Sequence, residues 1–442
     1  MNSAIIFGLL IALMLTGMPI SIALGLTVLS FLFVMTTVPI EAVALKLFTG
    51  IESFEIMAIP FFILAGNFLT HGGVARRMIH FATTMVGHWY GGLGLAAVVA
   101  CALFAAISGS SPATVVAIGS ILLPAMVAQG YPKRFGAGVI ATSGALGILI
   151  PPSIVMVLYA VATGGSVSLD PSGNRVVSAS VAQLFMAGVV PGVILAFLLG
   201  MTTFYRAWRG NYPRMTKATW WESLVAFRDS LWGLLLIVLV LGGIYSGLFT
   251  PTEAAAVSAV YAFVIAVFVY RDLKFSEIPK VLLSSANMSA MILYIITNAV
   301  LFSFLMTSEQ IPQSITAWAV GTGIGRIEFL LFVNLLLLVA GNFMEPSSIV
   351  LITAPILFPV AVGLGVNPVH LGILMTVNME VGLCHPPVGL NLYVASGIAK
   401  MGITELTVAV WPWLLTMLVF LGVVTYVPEL SLWLPRTLGM LY

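Results

Sequence analysis

Gly147-Ile-Leu-Ile-Pro151-Pro152 and Gly382-Leu-Cys-His-Pro386-Pro387 rhyme across 235 positions of this 442-residue sequence. Each follows a Pro-marked turn inside an apolar run: Ser108-Gly-Ser-Ser-Pro112 in the first half and Asn342-Phe-Met-Glu-Pro346 in the second. Gly and Pro interrupt helices, and a broken helix in apolar sequence leaves backbone groups that lipid cannot satisfy. Two breaks per half, at matched positions, indicate a duplicated membrane carrier with its site between the halves.

Composition agrees with lipid as the solvent. Apolar residues make up 60% of the chain and charged residues 7%, where a soluble domain carries roughly 25% charged. A net charge of +2 is too small to attract nucleic acid. Cys101 and Cys384 both lie in apolar segments, so neither a structural disulfide nor a thiolate metal site is expected. The run from Met1 to Thr16 has neither a basic leader nor a small-residue cleavage site and reads as a retained span.

Runs long enough to span lie near 2–17, 18–36, 53–71, 181–205, 230–248, 252–270, 287–307 and 405–427. Between them, 92–165 and 327–399 are long apolar tracts interrupted by Gly, Pro and Ser, each fitting a re-entrant hairpin followed by a discontinuous helix. The expected class is an all-α polytopic membrane protein, an inverted repeat with two re-entrant hairpins and two discontinuous helices. Its segments read as scaffold and interfacial arm at 1–91, transport unit at 92–165, and a span with cytoplasmic loop at 166–229. The second scaffold and arm cover 230–326, the second transport unit 327–399, and a final span and tail 400–442. Placing hairpin 92–129 open to the cytoplasm and hairpin 327–365 open to the far side puts thirteen of seventeen Lys and Arg inside, leaving Lys46, Arg175, Arg326 and Arg436 outside. It also puts the N-terminus outside. Linkers 38–52 and 271–286 mix charges with apolar residues and predict two short interfacial helices. The segment 206–229, with Trp208, Trp220 and Trp221 among basic residues, reads as a loop against headgroups.

At a helix break about four N–H or C=O groups per end lose their partners. Carbonyl-rich ends suit a small hard cation such as Na⁺, and N-terminal ends suit a carboxylate. Pro112, Pro151, Pro346 and Pro386 are each expected to open a half-helix, so four N-terminal ends would converge on an anion bound together with cations. Ser108, Ser110 and Ser111 add hydroxyl oxygens without charge; Gly144 and Gly147 let the unwound backbone turn its carbonyls inward. Ser and Gly also serve simple close packing of helices in lipid. In the second half Glu345 fits a cation ligand, an ion-pair partner, a proton carrier or a dipole cap for the Pro346 half-helix. His385 is expected to offer its backbone carbonyl while its ring bonds within the bundle, and Glu380 to pack against another polar group.

The Ser-Gly-Ser-Ser-Pro tip, the Gly-x-x-x-Pro-Pro breaks and the Asn-Phe-Met-Glu-Pro hairpin, taken together, resemble the large membrane subunit of TRAP (tripartite ATP-independent periplasmic) transporters. The likeness runs from Gly17-Met-Pro19 to the terminal span. It implies a Na⁺-driven, elevator-type importer of a small organic acid, such as a C4-dicarboxylate or sialic acid, in the bacterial inner membrane. It implies a small four-helix membrane subunit and a periplasmic substrate-binding protein as partners, and Na⁺ as coupling ion with no other cofactor or metal. The sequence carries no four-helix segment ahead of its first span, so the unfused form is the one expected. Carried over by motif position, one Na⁺ site uses Ser108, Ser110, Gly147, Ile150 and Pro152. Its pseudo-symmetric counterpart uses Phe343, Glu345, Gly382 and His385, with substrate near Ser111, Pro112 and Ser347.

Three other classes fit the sequence less well. A stand-alone Na⁺/dicarboxylate symporter also carries paired hairpins, but its Ser-Asn-Thr tip is absent here. An intramembrane serine protease would carry a Gly-x-Ser-Gly motif, but Ser-Gly at 108–109, 143–144 and 396–397 lacks the preceding Gly and no His sits in a matching helix register. A channel would repeat its breaks around a pore rather than pair and invert them.

Overall fold

The computed structural model describes residues 2–36, 39–164, 166–342, 344–386 and 389–441. The first repeat opens with α1 (Asn2–Leu15), α2 (Ile20–Met35), the arm α3 (Ile40–Thr49), α4 (Ala58–His71) and α5 (Val74–Val86). A hairpin of α6 (Gly92–Ser108) and α7 (Ser111–Ala128) follows, then α8 (Lys133–Ser143), a 3-10 turn Gly144–Ile148, and α9 (Ile154–Thr163). Strands β1 (Val167–Leu169) and β2 (Arg175–Val177) lead into α10 (Val181–Arg209).

The second repeat comprises α11 (Trp220–Tyr245), α12 (Pro251–Val264) with a π turn Ile265–Val269, α13 (Ile278–Ser308) and α14 (Ile311–Gly321). Its hairpin is α15 (Arg326–Gly341) with α16 (Pro346–Gly363), its broken helix α17 (Pro368–Cys384) with α18 (Leu390–Ala399). The chain closes with α19 (Ile403–Tyr426) and α20 (Glu429–Thr437).

Sequence explains where helices start. Ser180–Gln183, Thr219–Glu222 and Thr250–Glu253 form reciprocal capping boxes at α10, α11 and α12, satisfying orphan N–H groups at each entry. Among the described residues, eight helices are long and apolar enough to cross a membrane, and the chain is a multi-pass membrane protein.

The repeats interlock in crossed pairs. α4 packs on α12 and α2 on α13; α7 packs on α18 and α9 on α16; α8 packs on α19 and α10 on α17. Each pairing is its partner's image under exchange of the halves. Each hairpin therefore leans on the broken helix of the other repeat, and neither half can build the centre alone.

Three expectations need correction, and one turn was not anticipated. The linker 271–286 is not a separate arm: after a short 3-10 turn Phe275–Glu277 it enters α13, which runs 31 residues unbroken. Gly50 and the extended Ser53 interrupt the first repeat at the matching place, and α13 has no such breaker. The segment 206–229 is mostly helix, because α10 continues to Arg209 and the Thr219 cap starts α11 at Trp220, leaving only 210–219 as loop. The spans expected at 2–17 and 18–36 are helices of 14 and 16 residues, cut short by the Gly17–Pro19 turn and by Thr36. Finally, Asp170-Pro-Ser-Gly-Asn174 folds a β-turn. Backbone N–H groups of Ser172 and Asn174 donate to Asp170 Oδ1 at 2.9 and 2.8 Å, holding that carboxyl below the usual carboxylate range.

Candidate functional site

The first hairpin turns at Gly109, whose φ of +60° is left-handed backbone that favours glycine. A Cβ at Gly109 would sit 2.8 Å from the Pro152 carbonyl oxygen, so the tip lies directly on the break of its own repeat. Gly147 confirms the approach from the other side. Its Cβ position is 2.6 Å from the Ser110 carbonyl oxygen and 2.8 Å from Ser111 Cα. Gly66 of α4 closes a third side, 3.2 Å from the Ser108 carbonyl by the same measure. Three glycines thus let three backbones meet around one serine turn.

Polar order within the tip is local. Ser108 Oγ and Thr114 Oγ1 lie 3.0 Å apart, and Thr114 donates to the Ser110 carbonyl at 2.8 Å. The break itself is held by Ser153, which donates to the Ile148 carbonyl at 2.5 Å and accepts from the Met156 N–H. Ile150 packs its side chain toward Gly192 of α10 and is the only half-buried position between Phe135 and Ala160. Ser108, Ser110, Gly147 and Pro152 are therefore brought together, in a surrounding of hydroxyls and carbonyls with no charged side chain among them. Such oxygens match a small hard cation.

Ser111 points elsewhere. It is fully buried, and its hydroxyl donates to Asn391 Oδ1 at 3.0 Å while Asn391 Nδ2 lies 2.7 Å from the same hydroxyl oxygen. Asn391 also donates to the Ala141 carbonyl at 3.1 Å, which accepts from Cys384 Sγ at 3.3 Å. One amide thereby joins α7, α8, α17 and α18. Pro112 sits in the first turn of α7.

The second tip repeats the close approach with different chemistry. Cβ positions on Gly341 and Gly382 would lie 3.1 and 3.2 Å from each other's Cα, so hairpin and break again meet backbone to backbone. His385 Nδ1 lies 2.6 Å from Asn342 Oδ1. Glu345 occupies the N-cap position of α16 but makes no side-chain cap; its Oε1 accepts from Ser347 Oγ at 2.7 Å. Phe343 lies outside the described residues. Glu380 is fully buried with both carboxyl oxygens lacking a hydrogen-bond partner among the described residues, so the polar partner expected for it is not there.

Half-helix starts also differ from expectation. Pro112 and Pro346 lie in the first turns of α7 and α16, as read from sequence. Pro151 and Pro386 do not: α9 begins at Ile154 and α18 at Leu390. A residue before proline is pushed out of helical geometry, so neither helix resumes at the first proline of its pair. Thr114 and Asn391 escaped the sequence reading. Thr114 follows the serines at helical spacing; Asn391 has Met156 at its 235-shifted position, so repeat matching hid it.

The chain matches a family model described as "Tripartite ATP-independent periplasmic transporter, DctM component" over residues 7–430. It is 74% identical over 440 residues to a C4-dicarboxylate TRAP transporter large permease protein of Rhodobacter capsulatus, covering all of both chains. It is 54% identical over 401 residues to one of Pseudomonas aeruginosa, covering 91% of each. Among solved structures, the YdaH transporter of Alcanivorax borkumensis, described as having an unusual topology, superposes with a TM-score of 0.56 at 15% identity, covering 86% of each chain. That likeness concerns the fold.

Proposed function

Since this chain belongs to the family of DctM components of tripartite ATP-independent periplasmic transporters, we propose that it is the large permease of a Na⁺-driven importer of C4-dicarboxylates. The observation that carries the mechanism is the first tip: Ser110 and Ser111 seated on Gly147, and Gly109 on the Pro152 carbonyl, with oxygen ligands only. The substrate class follows the Rhodobacter and Pseudomonas relatives. The chain works in the bacterial inner membrane with a small four-helix membrane subunit and a periplasmic substrate-binding protein.

Ser108, Ser110, Gly147, Ile150 and Pro152 hold one Na⁺ as cargo, and the second tip, with Glu345, Gly382 and His385, holds another. Cation charge at the breaks draws the dicarboxylate to the tips near Ser111, Pro112 and Ser347, where N-terminal helix ends add positive potential. No arginine lies at either tip, so carboxylate attraction depends on bound cations, which is the coupling. Because each hairpin leans on the opposite broken helix, the hairpins and breaks travel together past α1–α5 and α11–α14 as an elevator.

Uptake of labelled succinate into liposomes holding this chain, its small subunit and its binding protein tests the reading. Uptake that needs an inward Na⁺ gradient and all three proteins supports it. Uptake by this chain alone makes it a stand-alone symporter, and Na⁺-independent uptake removes the coupling.

A further inference from the structure

Away from the tips, α6 and α10 enclose a trough of about 1100 Å³ whose wall is almost wholly apolar. One face of α10 lines it, with Val193, Ala196, Gly200, Phe204 and Trp208 at helical spacing. The fifteen helical steps from Val193 to Trp208 rise about 22 Å. That matches one bilayer leaflet, roughly 15 Å of hydrocarbon plus about 6 Å of interface. At the Val193 end the lining includes Ile150, whose side chain packs on Gly192.

Polar groups are confined to the other end. Arg214 stands there with its guanidinium 3.7 Å from the centre of the Tyr90 ring and Nη2 donating to the Tyr90 hydroxyl at 2.7 Å. It has no acidic partner among the described residues. Its position is built rather than incidental. The neighbouring Pro213 carbonyl accepts from Tyr131 at 2.6 Å, and the Met215 N–H donates to the Gly87 carbonyl at 3.1 Å, so the backbone is pinned on both sides. His88 shares this end, with Nδ1 lacking a hydrogen-bond partner among the described residues. Most donors of the guanidinium remain free, and their fork suits a phosphate.

We infer that this trough binds one anionic phospholipid of the leaflet on the basic side, with its phosphate on Arg214 and an acyl chain along α10 as far as Ile150. The occupant is an amphiphile because the trough is one: an apolar length equal to a leaflet, ending in a single unpaired, immobilised cation. The inference stands apart from the transport reading, since it concerns occupancy and not uptake.

The test uses the full chain with its small subunit in vesicles of phosphatidylethanolamine and phosphatidylglycerol. A phosphatidylglycerol carrying a diazirine on its acyl chain is photolysed, and adducts are mapped by mass spectrometry. Adducts should concentrate at 98–103 and 193–201 relative to Val238, an exposed apolar position on α11. Arg214→Gln should lower trough labelling about fivefold, the worth of one cation at an anionic headgroup, to the level given by a phosphatidylcholine probe. Gly200→Leu, where an added Cβ meets only Leu95 at 3.9 Å, should remove trough labelling and spare Val238. Equal labelling at Val238, indifference to Arg214→Gln in folded protein, or crosslinks from the trough to the small subunit instead of lipid would each overturn the inference.

Discussion

Ser111 and Asn391, 280 residues apart, share a buried hydrogen bond that ties the first hairpin to the second broken helix. It is a side-chain bond between the repeats at the centre of the bundle, and it has no image under the repeat. Losing it leaves a buried hydroxyl and the Ala141 carbonyl with one partner fewer.

Asn391→Ala should therefore cost about 1–3 kcal/mol, seen as a roughly 5- to 150-fold drop in succinate uptake with the protein still assembled. Asn391→Asp keeps the shape but removes the donors to Ala141. Both variants should raise the half-saturating Na⁺ concentration. A variant that lowers uptake with unchanged Na⁺ dependence would restrict Asn391 to holding the fold together.

Gly147→Ala pushes a methyl into the Ser110 carbonyl. Overpacking of this kind costs about 1–3 kcal/mol, and here the loss falls on the tip. Uptake should fall at least tenfold, whereas Gly397→Ala, which meets open space, should match the parent. Equal uptake by Gly147→Ala would show that the tip is not held against the break during transport.

Glu345 accepts from Ser347 and does not cap its helix. Glu345→Gln keeps that hydrogen bond but removes a charge from the second tip. The Hill coefficient for Na⁺ should fall, while Ser347→Ala leaves it higher than in Glu345→Gln. An unchanged Hill coefficient in Glu345→Gln would detach the second cation from this residue.

Elevator motion predicts two depths for one hairpin. With Cys101 and Cys384 replaced by Ala, a cysteine on α7 should crosslink to two positions on α4 more than one helical turn, about 5.4 Å, apart. Na⁺ with substrate should shift the ratio of the two products. A single reachable depth in every condition would leave a rocking mechanism instead.

The hairpins and breaks were legible because lipid forbids unpaired backbone, so Gly, Pro and Ser clustered in apolar sequence carry unusual information. Gly147 and Gly382 were legible for the same reason, since each stands where another backbone arrives. Asn391 was not, because repeat matching looks for likeness and Asn391 breaks it. Nor was the β-hairpin, although Asp170-Pro-Ser-Gly-Asn174 spells a turn. The start of α9 shows a third limit: composition marks a proline pair, but the side chain of Ser153 decides where the helix resumes.

The two arms of the scaffold have come to differ in kind. In the first repeat the Gly50 joint separates α3 from α4, so the arm can lie flat while the span stands upright. In the second, α13 is a 31-residue rod, about 46 Å long, against a hydrocarbon core of about 30 Å. A thinner bilayer folds the jointed arm down at its elbow but can only lean the rod over. Membrane thickness would then act on this frame as a lever acts on one leg of a trestle, tilting the track on which the moving part must run.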